Sequence, residues 1–127
     1  GITIIVSTPY MDEAALCDRV ALIQKGKILS IDNPKNLPNT ISEDIYEIKA
    51  ESLYNLQNFM RSKYGDSSTF LFGQSIHFSS SDKTINEDLL YEISSKSGIK
   101  VYSVNKTIPT TEDCFMSLMS KSNISLD

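Results

Sequence analysis

A chain of 127 residues holds one ordinary domain, or one small domain with a piece of another, and is too short for two domains of normal size. Its net charge of −4, with twelve Lys and Arg spread along the chain, offers no basic stripe to a phosphate backbone, which argues against nucleic-acid binding. Cys17 and Cys114 are isolated and far apart, fitting neither a C-x-x-C metal or redox motif nor a disulfide-dense secreted scaffold, so a reduced, cytosolic setting is the default expectation.

Ile2 to Val6 is an almost unbroken apolar, β-branched run, the pattern of a parallel strand covered on both faces. It is far too short for a membrane span and lacks the flank and cleavage site of a signal peptide. Such a strand needs neighbours on each side, so Gly1 reads as a boundary inside a domain. A short helix is predicted between Pro9 and Asp18, with Asp12 and Glu13 in its first turn, where they favour the positive end of the helix dipole. Val20 to Ile23 and Ile28 to Ile31 are two further apolar runs. Lys25-Gly26 between them supplies the tight turn of a β-hairpin. Strand, helix and strand over this length predict a βαβ unit.

The breakers Asp32-Asn33-Pro34 and Pro38-Asn39 mark a domain boundary, which divides the chain into residues 1–38 and residues 39–127. Beyond it, Ile41 to Ala50 contains the alternation of Ile45, Glu47 and Lys49 with Tyr46, Ile48 and Ala50, a strand of about eight residues. Leu53, Leu56, Met60 and Tyr64 fall at helical spacing, and Gly65 stands where a helix end wants a left-handed residue. Thr69 to Phe72 and Ile76 to Ser79 form a second hairpin around Gly73-Gln74-Ser75. Asn86 to Lys96 reads as a helix stopped by Gly98, Ile99 to Val104 as a strand, and Thr110 to Lys121 as a last helix. The serines at Ser79 to Ser81 and at Ser94, Ser95 and Ser97 read as turn and helix-surface residues. Strand, helix, strand, strand, helix, strand is the ferredoxin-like βαββαβ order. It predicts a four-stranded antiparallel sheet with two helices on one face, and an extra C-terminal helix packed on the sheet edge or docked on the preceding domain. The fold class expected is therefore α/β plus α+β.

The segment from Thr3 to Leu29, in which Ser7-Thr8-Pro9, Glu13-Ala14, Cys17-Asp18-Arg19 and Val20-Ala-Leu-Ile-Gln-Lys-Gly-Lys-Ile28 follow in order, resembles the ATP-binding cassette (ABC) ATPase family. In that family a buried strand ends in S-T-H, a helix carries E-A and then C-D-R, and a hairpin reads V-x-x-(I/L)-x-x-G-(K/R)-(I/L). The one departure is Pro9, where the family has its switch histidine. A weaker echo lies at the other end. Pro109-Thr-Thr-Glu-Asp-Cys-Phe-Met-Ser-Leu118 is similar to the P-T-L-E-D-V-F-x-x-L with which many exporter-type members close, after a small accessory domain. The resemblance implies the end of the P-loop nucleotide-binding core, a βαβ-hairpin remnant, followed by an accessory domain for regulation or subunit contact. It implies ATP and Mg in the full-length protein, a transmembrane permease and a second cassette as partners, and a cytoplasmic position peripheral to the inner face of the cell membrane without insertion.

The chemistry of such a site needs a G-x-x-x-x-G-K-(S/T) loop, a signature loop and an apolar strand ending in Asp-Glu. None lies in this chain, so no catalytic, cofactor-binding or metal residue is expected here, and the chain alone is not expected to hydrolyse ATP. Pro9 is the one catalytic position that the resemblance carries over. In the family the histidine reaches the terminal phosphate and the attacking water. Proline has no donor and no titratable group. Either the site is degenerate and pairs with a competent partner, or Pro9 shapes the strand-to-helix turn as an N1 proline behind Thr8 would. His77, the sole histidine, has no accompanying constellation and reads as structural or exposed. Cys17 and Cys114 read as packing residues on apolar helix faces, Asp18-Arg19 as an ion pair or cap, and Glu43, Asp44 and Glu47 as a solvated strand edge rather than a metal site. The alternative function is a stand-alone ferredoxin-like module that binds a small molecule or peptide on its sheet face or edge.

Overall fold

A two-residue turn decides the first sheet. In the computed structural model of the protein, which describes residues 1–125 and side chains through residue 121, Lys25 and Gly26 take φ of 52° and 75°. Positive φ at both central positions is the type I′ geometry, whose twist matches that of the strands it joins. β1 (Val20–Gln24) and β2 (Lys27–Asp32) therefore pair antiparallel with Gln24 opposite Lys27. The register slips once between Leu22 and Ile23, leaving Leu29 as the extra residue of a bulge.

The chain divides into two compact units, one made of Gly1–Thr40 with Thr110–Asp127 and the other of Ile41–Pro109. In the first, α1 is one helical turn, Met11–Ala14, shorter than the helix expected from Pro9 to Asp18. Tyr10 holds the N-cap position and offers no side-chain cap, and a single turn without caps has nothing to propagate it. The parallel strand expected at Ile2 to Val6 is not formed, and Ile2 and Ile5 are nine-tenths exposed. An extended segment becomes a strand only when a neighbour takes its N–H and C=O groups, and the described residues bring none alongside it. The unit thus holds a helical turn and a hairpin rather than a βαβ unit. After a single 3₁₀ turn, Leu37–Thr40, the chain leaves for the second unit. It returns as α4 (Thr111–Ser125), which packs against that turn, β2 and α1. Of the two places open to the last helix, this is the dock on the N-terminal part of the chain.

α4 begins where its capping residues say it should. The Thr110 N–H and hydroxyl both donate to Asp113 Oδ2 at 2.8 and 3.0 Å, and the Asp113 N–H donates back to Thr110 Oγ1 at 3.1 Å. This reciprocal box satisfies N–H groups that the first turn would otherwise leave open. Asp113, Cys114 and Leu37 are buried.

The second unit runs β3 (Asp44–Ala50), α2 (Leu53–Tyr64), β4 (Thr69–Phe72), β5 (Ser75–Ser80), α3 (Glu87–Ser95) and β6 (Val101–Thr107). Its sheet has the order β4-β5-β3-β6 with every pair antiparallel. Gly65 ends α2 at φ 101°, and Asn86 caps α3 by accepting the Leu89 N–H at 2.8 Å. Tyr46, Ile48, Ile76, Phe78, Val101 and Val104 from the sheet join Leu56 and Met60 of α2 and Leu90 and Ile93 of α3 in one core. Each fully buried side chain of this kind contributes about 1.5–3 kcal/mol. Val101 and Val104 are three residues apart and would face opposite ways in a regular strand. A bulge resolves this: Lys49 pairs Ser103 while Ala50 pairs Val101, so Tyr102 is the extra residue and both valines turn inward. Ser94, expected at the helix surface, is fully buried with its hydroxyl 3.9 Å from Met60 Sδ. It lies one position after Ile93 on the core side of a short helix, where a small side chain fits between larger ones.

Candidate functional site

The residues singled out around Pro9 lie in an exposed stretch. Thr8 Oγ1 accepts the Tyr10 N–H at 3.0 Å and donates to Glu13 Oε2 at 2.6 Å. This hydroxyl-centred turn carries the chain over Pro9 into α1. Pro9 itself is exposed and precedes the N-cap Tyr10, so it is not the N1 proline expected behind a Thr8 cap. Cys17 is also misplaced by sequence reasoning. It follows α1 as a half-exposed thiol 3.8 Å from the Glu13 carbonyl, because the helix stops too early to bury it. Asp18 and Arg19 are both exposed and make no ion pair or hydrogen bond among the described residues. Solvent screening leaves such a pair little reason to close.

A denser constellation sits in the second unit, on the sheet face opposite α2 and α3. Cross-strand register sets Phe70, His77, Glu47 and Asn105 in one row over all four strands. His77 Nε2 lies 3.7 Å from Glu47 Oε2, Lys49 Nζ lies 3.8 Å from Glu47 Oε1, and the Ser75 hydroxyl is 3.5 Å from Glu47 Oε2. Phe72 meets the imidazole edge-on with ring centroids 4.9 Å apart. His77 and Ser75 are buried. The Ser75 hydroxyl donates to the Phe72 carbonyl at 3.3 Å and, at the long limit of 3.5 Å, to Glu47 Oε2, so the group ties β3 to the β4–β5 hairpin by electrostatic and packing contacts.

Glu47 and Asp44 do not belong to a strand edge, since β3 lies inside the sheet. Asp44, four-fifths covered, is held by Lys83 and Lys106 at 3.2 and 3.3 Å. Burial works to raise its carboxyl, but the hydrogen bonds and charges of Lys83 and Lys106 outweigh that and hold it below the usual carboxylate range. Lys83 also donates to the Ser42 carbonyl at 3.1 Å, which ties the start of β3, the end of β6 and the loop before α3 together. This knot was not legible in the sequence, because its three members are distant in the chain. Cys114 is the buried packing residue expected, and burial together with the adjacent Asp113 charge pushes its thiol up to about 11. Among the described residues, no three His, Cys, Asp or Glu side chains gather as a metal site, and no helix is long and apolar enough to cross a membrane.

Comparison with known proteins identifies likeness over a limited stretch. The chain is 39% identical over 44 residues to the probable multidrug ABC transporter ATP-binding protein YbhF of Escherichia coli, and equally to that of Shigella flexneri. The match covers 35% of this chain, which spans 8% of the length of those relatives. The similarity is thus to part of an ABC transporter ATP-binding protein. No protein-family profile matches the chain. No solved structure matches it.

Proposed function

We propose that this chain is the carboxyl-terminal portion of an ATP-binding subunit of an exporter-type ABC transporter. The observation that carries the reading is the ordered string Ser7-Thr8-Pro9, Glu13-Ala14, Cys17-Asp18-Arg19 and the Val20–Ile28 hairpin, joined by the partial identity to an ATP-binding protein of that kind. Residues 1–38 would close the P-loop core. Residues 39–127 would form a ferredoxin-like accessory region with an extra helix, a reading supported by the element sequence and the strand order β4-β5-β3-β6. In the whole protein, other segments would bind ATP and Mg, a second cassette would complete the site, and a permease would receive the motion at the inner face of the membrane.

Pro9 stands where the resemblance puts the switch histidine, and its exposed corner leaves room for a longer side chain. Restoring the donor by Pro9→His in the full-length protein should raise Mg-ATP turnover about tenfold, equivalent to about 1.4 kcal/mol of barrier, which a hydrogen bond to a charged phosphate can supply. Steady-state turnover and melting temperature are measured on the same pair of proteins. Unchanged turnover with unchanged folding removes Pro9 from the mechanism, and a full-length protein that does not bind Mg-ATP overturns the family reading. A second reading, a binding module in its own right, draws on the separate core of Ile41–Pro109.

A further inference from the structure

β6 forms one outer edge of the four-stranded sheet. Among the described residues β6 pairs with β3 alone, so one row of its backbone N–H and C=O groups faces outward along a seven-residue strand. Beside it lies a groove of about 440 Å³ lined by Asn86, Glu87, Asp88 and Tyr91 of α3 and its cap, with Val104 of β6 as an apolar member. The side chains of Glu87 and Asp88 are exposed and enter no ion pair or hydrogen bond among the described residues. Lys106, at the far end of the strand, is paired with Asp44 at 3.3 Å. The charged side chains that line the groove are both acidic, with no Lys or Arg among the lining residues, so the groove offers a site complementary to a cation.

We propose that the β6 edge and the adjoining groove receive an extended segment of a partner protein bearing lysine or arginine, which adds to the sheet as a further strand. Main-chain bonds to β6 would supply register. Alternate side chains of the segment would point to the α3 side, where a cationic head group meets Glu87, Asp88 and the half-exposed Tyr91 ring. A second copy of this chain is the competing occupant. Antiparallel pairing of two β6 edges about Val104 would turn two acidic grooves toward one another, and like charges so placed repel.

The test uses the isotope-labelled full chain titrated with a capped heptapeptide alternating threonine and lysine, against the same peptide with glutamate for lysine. Backbone amide shifts confined to residues 86–91 and 101–107, and seen with the lysine peptide alone, are expected. Combining Glu87→Gln with Asp88→Asn, two exposed changes that leave the core intact, should weaken binding about threefold or more. The proposal is overturned by absence of shifts, by equal response to both peptides, or by shifts centred on Thr69–Phe72. Concentration-dependent shifts at β6 without peptide would assign the edge to a second copy and equally overturn it. The inference is independent of the transporter reading, which nucleotide turnover tests.

Discussion

Lys25 is the residue at which local strain and function of the turn are easiest to separate. It holds φ 52° without being glycine, a left-handed conformation that costs an ordinary side chain about 1–2 kcal/mol. Asparagine tolerates that region, so Lys25→Asn should raise stability by about 0.5–1 kcal/mol, read as a higher denaturant midpoint at constant slope. Asp44 supplies a test with a sign. Its carboxyl is held low in the folded state by Lys83 and Lys106. A group depressed in this way contributes stability that is present above its unfolded value and lost as pH falls through its folded value. Stability at neutral pH should therefore drop on acidification below about pH 4, and Asp44→Asn should lower neutral stability while flattening that part of the pH profile. Denaturant titrations of both proteins from neutral to acid pH compare them. The Lys25 turn could be read directly from sequence as Lys-Gly between apolar runs. The Asp44 knot could not, because charge pairing between residues 44, 83 and 106 depends on strand order.

At the scale of elements, short-range rules held where the residues that cap or bend an element lie within a few positions of it. α2 and β4 have the expected bounds, and α3 is stopped one residue inside them at each end by the Asn86 cap and Lys96. The Thr110–Asp113 box likewise sets the start of α4. Asp113→Ala removes an acceptor that serves both the Thr110 N–H and hydroxyl, and should cost about 1–2 kcal/mol, with loss of helix signal and a lower denaturation midpoint. If the cost is below a few tenths, the box is decorative. The rules failed for β6, expected from Ile99 to Val104 and found at Val101–Thr107. Simple alternation cannot place two inward valines three apart, and only the bulge opposite Lys49 and Ala50 does. Ile2 to Val6, a run that needs flanking strands, has none paired with it among the described residues and stays exposed.

For the whole molecule, the second unit is bracketed by neighbouring strands. Ile45 near its start pairs with Thr107 near its end, so both ends of Ile41–Pro109 emerge at one side of the sheet, and its core draws on no residue outside that span. The excised segment should fold alone and unfold in a single transition with a stability of about 3–5 kcal/mol, as befits a core of this size. Far-UV and near-UV circular dichroism through a denaturant series would check it, and loss of near-UV signal on excision would count against autonomy. The sequence by itself determined the two hairpins, the helices of the second unit, and the likeness to part of an ABC ATP-binding protein, because each depends on sterics, hydrogen bonds or identities within a few residues. Only the tertiary structure decided that α4 returns to the N-terminal unit, that Ser94 and His77 are buried, that three distant charges meet at Asp44, and that β6 lies at a sheet edge. These are choices among distant partners. Packing and pairing settle them between residues far apart in the chain, where no local pattern carries the information.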